Sequence, residues 1–400
     1  MAFQPYQASM LALGQAPSVI RETFEYGLRR AQEIGRENVF DFSLGNPSVP
    51  APPSVHDTMR RLMDETDSVL LHGYTSAIGA EPTRAAIAAD INARFHAGIS
   101  AQDLYMTCGA AASLTVTLHA ILCPGDTCMT FAPFFPEYRV FVESAGAKLT
   151  QVPADTENFQ MNLQAFAELI TPETKAVIVN TPNNPTGVVY TEENLRAFCK
   201  LLHEKELEYG HPVYLIADEP YRELVYDDTT VVPYLPNLYD NTFVCNSYSK
   251  SLSLPGERIG YIVVSPKMQD SRLVYAAVCG AGRALGFVCA PSLMQRVVAE
   301  NLGKTADLSV YRRNRDLLYK NLTDYGYRCI YPDGAFYLWV QALEDDANAF
   351  CRKARDYELL LVPSDSFGCK GFVRIAYCVT TEMIERSLPA FKKLAEAYGK

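Results

Sequence analysis

The stretch AVIVNTPNNPTGVVYTEENLRAFCKLLHEKELEYGHPVYLIADEPY occupies residues 176–221. It contains two short apolar runs, AVIVN at 176–180 and VYLIA at 213–217, on either side of a segment whose apolar residues recur with helical spacing. Thr191 is suited to cap the start of this helix, and Gly210 to end it. Strand, helix and strand in this order predict a βαβ crossover, the unit from which parallel sheets are built.

The same alternation extends over residues 104–265. Further apolar runs predict strands, and a helix is predicted over 110–122; the runs are LYMT, CMTF, FVCN and YIVV. The pattern indicates a largely parallel sheet covered by helices. Since ligands of such sheets lie beyond the carboxyl ends of the strands, the residues that follow each run are the candidates for chemistry.

The two ends of the chain have a different pattern. Helices are predicted near 311–322 and 347–356, with a closing helix to Leu394, and the strands between them read YRCIY, GAFYLWV and FVRIAY. An amphipathic helix over about 17–34, capped by Ser18, is expected to join this smaller α+β part. The predicted division is a large domain at 47–294 and a small domain formed by 1–46 with 295–400.

Composition indicates a globular protein without a membrane span. The chain has 400 residues, more than one hydrophobic core usually supports, so one large or two unequal domains are expected. Its 48% apolar and 20% charged residues are typical of globular chains, and no apolar stretch is long enough to cross a bilayer. Residues 1–10 lack the pattern of a secretory signal or transit peptide, so a cytoplasmic location is predicted.

Metal, disulfide and nucleic-acid functions are not indicated. The eleven cysteines are scattered singly, mostly in apolar runs, which predicts reduced core residues. The six histidines show no spacing typical of zinc ligands, so no metal site is predicted. A net charge of −10 without a long basic block argues against a nucleic-acid surface, leaving small-molecule chemistry as the expectation.

The first post-strand segments suit an anion and a flat ring. Gly109 and Ala110 follow LYMT at a helix start, where backbone N–H groups and the helix dipole can hold a phosphate. Phe134 and Phe135 follow CMTF, and Phe135 is the preferred aromatic for stacking on a ring. Asn184 lies in the rigid turn TPNNPTG after AVIVN and could direct its amide at a ring hydroxyl.

The remaining segments add an acid, a phenol, a lysine and an arginine. Asp218 and Tyr221 follow VYLIA, whereas Ser247 and Lys250 follow FVCN, with Arg258 eight residues after the lysine. An amine, an acid for a pyridinium proton, groups for a ring oxygen and groups for a phosphate together meet the needs of pyridoxal 5'-phosphate.

Three blocks carry a family resemblance. SYSKSLSLPGERIG, at 247–260, resembles the lysine signature of class I aminotransferases, and NTPNNPTG and IADEPY resemble that family's other two blocks, in the same order and at similar spacing. The resemblance extends from Gly45 to Arg374. It implies the type I pyridoxal-phosphate fold, an α/β architecture with a large domain around a mainly parallel, seven-stranded sheet and a small α+β domain.

The resemblance also implies roles for the cofactor-facing residues. Lys250 matches the lysine that binds the cofactor as an aldimine and moves the α-proton, and Asp218 matches the partner of the ring nitrogen. Tyr221 and Asn184 would contact the ring oxygen, and Phe135 would stack on the ring. The residues implied for the phosphate are Ser247, Arg258, Gly109 and Ala110.

Further roles concern the substrate and a second subunit. Arg374, in FVRIAY, resembles the arginine that binds the substrate α-carboxylate, with Asn184 and Gly45 on the substrate side. Tyr74, in HGYTSAIG, resembles a tyrosine that reaches the phosphate of the neighbouring subunit, which implies a homodimer with shared active sites. Tyr337 is assigned to the core.

The implied activity is transfer of an amino group between an L-α-amino acid and a 2-oxo acid by a ping-pong mechanism. The substrate pair stays open, with aspartate and 2-oxoglutarate among the candidates, because Arg283 lies about one residue from the place of the arginine that binds a distal carboxylate in dicarboxylate-specific members. A carbon–sulfur β-lyase is the alternative within the cofactor class. A non-enzymatic, cofactor-binding regulator is the remote alternative, since no basic recognition helix is present.

Overall fold

The computed structural model describes residues 5–16 and 18–400. The α-helices of these residues are α1 (Ala8–Gln15), α2 (Val19–Ile34), α3 (Pro53–Glu65), α4 (Ser68–His72), α5 (Glu81–Phe95), α6 (Ala110–Ile121), α7 (Glu137–Ser144), α8 (Leu163–Leu169), α9 (Glu192–Tyr209), α10 (Ser271–Ala284), α11 (Ser292–Ala299), α12 (Leu308–Asp324), α13 (Ala347–Arg355) and α14 (Thr381–Glu396). The strands are β1 (Phe40–Asp41), β2 (Leu104–Thr107), β3 (Thr127–Phe131), β4 (Lys148–Val152), β5 (Thr174–Asn180), β6 (Tyr214–Asp218), β7 (Thr242–Ser247), β8 (Gly260–Val264), β9 (Cys329–Ile330), β10 (Tyr337–Gln341), β11 (Leu359–Leu360), β12 (Val362–Pro363) and β13 (Phe372–Ala376).

The large sheet has seven strands in the order β2-β8-β7-β6-β5-β3-β4. The pairs from β4 through β3, β5 and β6 to β7 are parallel, whereas β8 runs antiparallel to both β7 and β2. The mainly parallel, seven-stranded sheet predicted from the sequence is therefore confirmed. The apolar runs did not predict β4, because it is an edge strand that reads KLTQV and leaves three of its five side chains accessible.

The crossover helix α9 forms as its sequence predicts. The Thr191 hydroxyl accepts a hydrogen bond from the backbone N–H of Asn194, and Gly210 ends the helix at a φ of +71°. The buried face of α9 includes Phe198, whose ring meets Phe131 of β3 edge-on at 5.4 Å between centroids. The helix thus covers the sheet and lets β5 and β6 lie side by side.

The N-terminal segment packs against elements from the C-terminal part. β1 pairs in parallel with β11, and β12, β13, β10 and β9 form a four-stranded antiparallel sheet. In α2, a Cβ added to Gly27 would lie 2.8 Å from a methyl group of Leu360, so this helix lies against β11. These contacts agree with a small part built from both chain ends. The division into 47–294 and 1–46 with 295–400 stays a prediction, and one boundary falls inside α11.

The predicted cap of the N-terminal helix is wrong. Ser18 occupies the N-cap position of α2, but its side chain makes no capping hydrogen bond. The helix start is supported instead by the backbone, where the N–H of Glu22 donates to the Ser18 carbonyl at 2.8 Å, and by the acidic side chain of Glu22 in the first turn. Pro17, at which the pattern begins, lies outside the described residues.

All eleven cysteines are free thiols, and most are buried. Among residues 5–16 and 18–400, no helix combines the length and apolar character needed to cross a bilayer. In the same part of the chain, no group of three or more His, Cys, Asp or Glu side chains is placed to hold a metal ion.

Candidate active site

A cleft of about 260 Å³ lies where the carboxyl ends of β5, β6 and β7 face the C-terminal sheet, and we name it the Lys250 cleft. It brings together ten of the site residues predicted from the sequence: Gly45, Ala110, Phe135, Asn184, Asp218, Tyr221, Ser247, Lys250, Arg258 and Arg374. Residues from three distant stretches of the chain therefore meet at the sheet edge where ligands are expected.

Lys250 lies in the middle of this cleft. Its Nζ donates a hydrogen bond to the Gly45 carbonyl at 2.7 Å and lies 5.4 Å from the centre of the Phe336 ring. Burial lowers the pKa of Lys250 to about 8, and the positive charges of Arg374 and Arg258 act in the same direction. A substantial fraction of this amine is consequently neutral near physiological pH, which an amine needs to act as a nucleophile or base.

Asp218 ends β6 and presents one free carboxylate oxygen. Its Oδ2 accepts a hydrogen bond from the Tyr138 hydroxyl, whereas Oδ1 is buried and has no partner among the described residues. Burial raises the pKa of Asp218 to about 7, the bond from Tyr138 opposes this shift, and the charge of Glu219 adds to it. A buried, unpaired acceptor of this kind calls for a donor from a ligand.

Arg374 of β13 is a buried cation that has no ion-pair partner among the described residues. Only 2% exposed, it donates from Nη1 to Asn184 Oδ1 at 3.1 Å and from Nη2 to the Ser43 carbonyl at 2.6 Å. Its Nε has no partner, and no carboxylate of the described residues lies within ion-pair distance. Because an uncompensated buried charge is costly, the site is prepared for an anion.

A second anion-binding arrangement lies at the start of α6. Gly109, at a φ of +94°, precedes the helix, and a Cβ placed on it would lie 2.7 Å from Nη2 of Arg258. Arg258 is held by a bond from Nη1 to the Pro255 carbonyl at 2.9 Å, and Ser247 ends the neighbouring β7. The helix N-terminus, a guanidinium and a hydroxyl thus face one region, a combination that suits a phosphate.

The two candidate phenylalanines occupy different environments. Phe135 is partly accessible and lines the Lys250 cleft, whereas Phe134 is buried in the core beside the ring of Tyr138. This placement favours Phe135, the residue preferred from the sequence, as the aromatic that meets a ligand.

Tyr74 and Arg283 are not part of the cleft. Tyr74 is 97% exposed, and Arg283 is exposed in the last turn of α10. Neither lines the Lys250 cleft of its own chain. A role for either residue at an active site would therefore require a second subunit.

Sequence reasoning missed Tyr337, which it assigned to the core. The ring is buried, but its hydroxyl lies in the cleft and hydrogen-bonds the Tyr221 hydroxyl at 2.9 Å. Arg374 lies over the same ring at 4.6 Å, and a Cβ on Gly45 would come within 2.1 Å of the Tyr337 oxygen. The only signal in the sequence was a hydroxyl inside the apolar run GAFYLWV. Tyr138, three residues after Phe135, was likewise not singled out.

Comparison with known proteins places this cleft in a family. A family model described as aminotransferase class I and II matches residues 37–391. A solved amino transferase from Eubacterium rectale is 55% identical, with a TM-score of 0.97 over 100% of both chains. The solved aspartate aminotransferase from Thermotoga maritima is 27% identical, with a TM-score of 0.84 over 94% of this chain and 97% of that one. Aromatic-amino-acid aminotransferase 2 from Thermococcus litoralis is 26% identical over 94% of this chain and 95% of its own length.

The family match and the cleft agree. The family model covers the stretches that supply the cleft residues from Gly45 to Arg374. The unpaired Asp218 Oδ1, the anion site at Gly109 and the amine of Lys250 fit the ring nitrogen, phosphate and aldehyde of the family's cofactor. The chain belongs to the aminotransferase class I and II family and is a pyridoxal-phosphate-dependent aminotransferase.

Proposed function

We propose that the Lys250 cleft transfers the amino group of an L-α-amino acid to a 2-oxo acid by a ping-pong mechanism, with Lys250, Asp218 and Tyr221 as the catalytic residues. The observation that carries the proposal is that one cleft joins a partly neutral lysine, a free buried carboxylate oxygen and an unpaired buried arginine. These groups suit a reaction that moves a proton next to a carboxylate, because they supply a base, an acceptor for the proton of a ring nitrogen and a cation for the carboxylate.

The residues divide into a cofactor side and a substrate side. When bound, pyridoxal phosphate supplies an aldehyde and a ring that withdraws electrons from the substrate Cα. Asp218 Oδ1 would hold the proton of the ring nitrogen, Phe135 would cover the ring face, and Tyr221 with Asn184 would contact the ring oxygen. The phosphate would be held by Gly109, Ala110, Ser247 and Arg258.

On the substrate side, Arg374 would bind the α-carboxylate, and Asn184 would keep the guanidinium in place through their 3.1 Å hydrogen bond. Gly45 leaves the space that the substrate and the Tyr337 hydroxyl share. Lys250, released from its bond to the Gly45 carbonyl, would take the proton from the substrate Cα and hold it at Nζ.

The substrate pair, assembly and location belong to the same proposal. Aspartate or another L-amino acid with 2-oxoglutarate is the proposed pair, in line with relatives named aspartate and aromatic-amino-acid aminotransferases. A homodimer is supported by the fully accessible ring of Tyr74, which would reach the phosphate in the partner's cleft. The eleven free thiols suit a reducing compartment, so a cytoplasmic location is proposed. A role in amino-acid biosynthesis is proposed with it.

The function is tested by analysing products with a panel of L-amino acids and 2-oxoglutarate. Transamination yields glutamate and the 2-oxo acid that matches the amino acid, and initial rates at several concentrations of both substrates give parallel double-reciprocal lines. Pyruvate and ammonia formed from a sulfur-containing amino acid without any oxo-acid acceptor would instead identify a β-lyase.

The reactivity of Lys250 is expected to rise with pH through about 8 and to level off above that value. Burial lowers the pKa of this amine to about 8, so the neutral, reactive fraction falls about tenfold for each pH unit below it. Acetic anhydride labelling of the cofactor-free protein between pH 6 and 11, read residue by residue by mass spectrometry, measures this profile. Exposed Lys200 is the internal reference. A Lys250 profile that still rises between pH 10 and 11 would contradict the expectation.

Gly109→Ala is expected to weaken binding of pyridoxal phosphate about tenfold or more. The added Cβ would lie 2.7 Å from Nη2 of Arg258 and would displace this guanidinium from the phosphate site, and a tenfold loss corresponds to about 1.4 kcal/mol of binding free energy. The φ of +94° also makes a side chain at this position costly, but the free and the cofactor-bound protein bear that backbone cost alike. Equilibrium titration of the cofactor-free protein measures the affinity.

Gly125→Ala is the matched control, because Gly125 has a φ of +99° but no atom within 4 Å of the added Cβ. This control bears the same backbone cost without touching the anion site. If both variants lose the same affinity, or neither does, the phosphate site at Gly109 is not supported.

A further inference from the structure

Tyr138 stands directly behind Asp218. It lies on α7, its hydroxyl donates a hydrogen bond to Asp218 Oδ2, and both side chains are buried. The other carboxylate oxygen, Oδ1, is buried without a partner among the described residues, and Asp218 lines the Lys250 cleft. The phenol therefore occupies one oxygen of the carboxylate and leaves the other for a ligand.

The ring of Tyr138 is held between two aromatic neighbours. Phe135 meets it edge-on, with centroids 5.7 Å apart and an interplanar angle of 87°, and Phe134 lies nearly parallel to it at 6.4 Å. A ring enclosed in this way has little freedom to rotate. The packed ring keeps its hydroxyl against Oδ2, and this contact restricts the orientation of the Asp218 carboxylate.

The surroundings of Asp218 offer little else to stabilise its charge. The titratable groups that act on it or face it are Tyr138, Glu219, Tyr221 and Cys245. Burial and the charge of Glu219 raise the pKa of Asp218, and the bond from Tyr138 is the contribution that lowers it. Burial and the neighbouring Asp218 raise the pKa of Tyr138 well above its usual value, so the phenol stays a neutral donor.

We propose that Tyr138 is a positioning residue that keeps Asp218 ionised and aims Oδ1 at the ring nitrogen of the cofactor. The inference rests on the proposed role of Asp218 and adds a second residue on which that role depends. Tyr138 touches neither substrate nor cofactor in this arrangement. Tyr138 acts on the cofactor only through its hydrogen bond to Asp218. Removing this bond should therefore weaken the binding only of a ligand whose ring contains the nitrogen.

Tyr138→Phe removes the hydroxyl and keeps the ring that packs against Phe134 and Phe135. Two probes are titrated into the cofactor-free protein: pyridoxal phosphate and its 1-deaza analogue, in which carbon replaces the ring nitrogen. The variant is expected to bind pyridoxal phosphate about tenfold more weakly, the lower end of the range for a hydrogen bond to a charged group. Affinity for the analogue should be unchanged.

Tyr327→Phe is the matched control, since this buried phenol donates to the Phe391 carbonyl at 2.8 Å, away from the cleft. It should bind both probes as the wild type does. Equal losses for both probes in Tyr138→Phe would mean that the residue acts only through packing, and this would overturn the inference, as would unchanged binding of pyridoxal phosphate.

Asp218→Asn separates the inference from the proposed function. If this variant loses affinity for pyridoxal phosphate while Tyr138→Phe does not, the role of Asp218 stands and that of Tyr138 fails. If Asp218→Asn binds both probes like the wild type, the assignment of Asp218 fails, and the inference built on it fails with it.

Discussion

Lys250→Ala is expected to lower the rate of amino-group transfer by about 10⁴-fold or more. A positioned general base contributes roughly 10²–10⁴-fold by itself, and loss of covalent binding of the cofactor adds to this. No other lysine of the described residues lines the Lys250 cleft, so no second amine can take over. Single-turnover rates at saturating pyridoxal phosphate measure the loss without confusing it with weaker cofactor binding.

Added methylamine should restore part of this activity, because truncation to alanine leaves space for a small amine beside the substrate Cα. Rescue of this kind distinguishes a missing base from a misfolded cleft. Lys267→Ala removes an exposed lysine and should transfer at the wild-type rate. A Lys250→Ala enzyme that kept a tenth of the wild-type rate would show that another group moves the proton.

The large sheet could be predicted because its central strands are apolar on both faces, a pattern that depends only on local sequence. Two features of this sheet could not be predicted from the sequence. β4 lies at the edge and has accessible side chains, so its sequence carries no continuous apolar run. β8 is as apolar as the parallel strands of the sheet, and nothing in YIVV shows that it runs antiparallel to both β7 and β2. The direction of a strand depends on the segment that connects it to the previous strand and on the strand it pairs with, and neither is part of its own sequence.

The residues of the Lys250 cleft likewise divide into those that the sequence predicts and those that it does not. Asp218 and Lys250 could be predicted because each lies at or shortly after the end of a strand, and their residue types meet the needs of one cofactor. The partners that set their properties come from elsewhere: Tyr138 is 80 residues from Asp218, and the Gly45 carbonyl is 205 residues from Lys250. The bond between Tyr221 and Tyr337 spans 116 residues. Such pairs depend on how separate elements pack, which a single sequence does not show.

Arg374→Ala is expected to lower kcat/KM for amino acids by about 10²–10³-fold. Truncating one member of a buried, charge-assisted pair typically costs about 2–5 kcal/mol, and Arg374 is buried with its Nε free to donate. Arg374→Lys should recover only part of the loss, since a lysine keeps the charge but not the planar fork that binds both carboxylate oxygens. Steady-state kinetics with the best amino acid of the substrate panel measures both variants.

The matched control for Arg374 is a change in the substrate. If the guanidinium binds the α-carboxylate, the amine that lacks this carboxylate should react slowly with the wild-type enzyme and no more slowly with Arg374→Ala. The loss caused by the substitution and the loss caused by removing the carboxylate from the substrate are then not additive, as expected when the guanidinium and the carboxylate form one interaction. Should Arg374→Ala slow the amine and the amino acid by the same factor, Arg374 would instead act by holding Asn184 and the Ser43 carbonyl in place. The carboxylate would then have to be bound by another group.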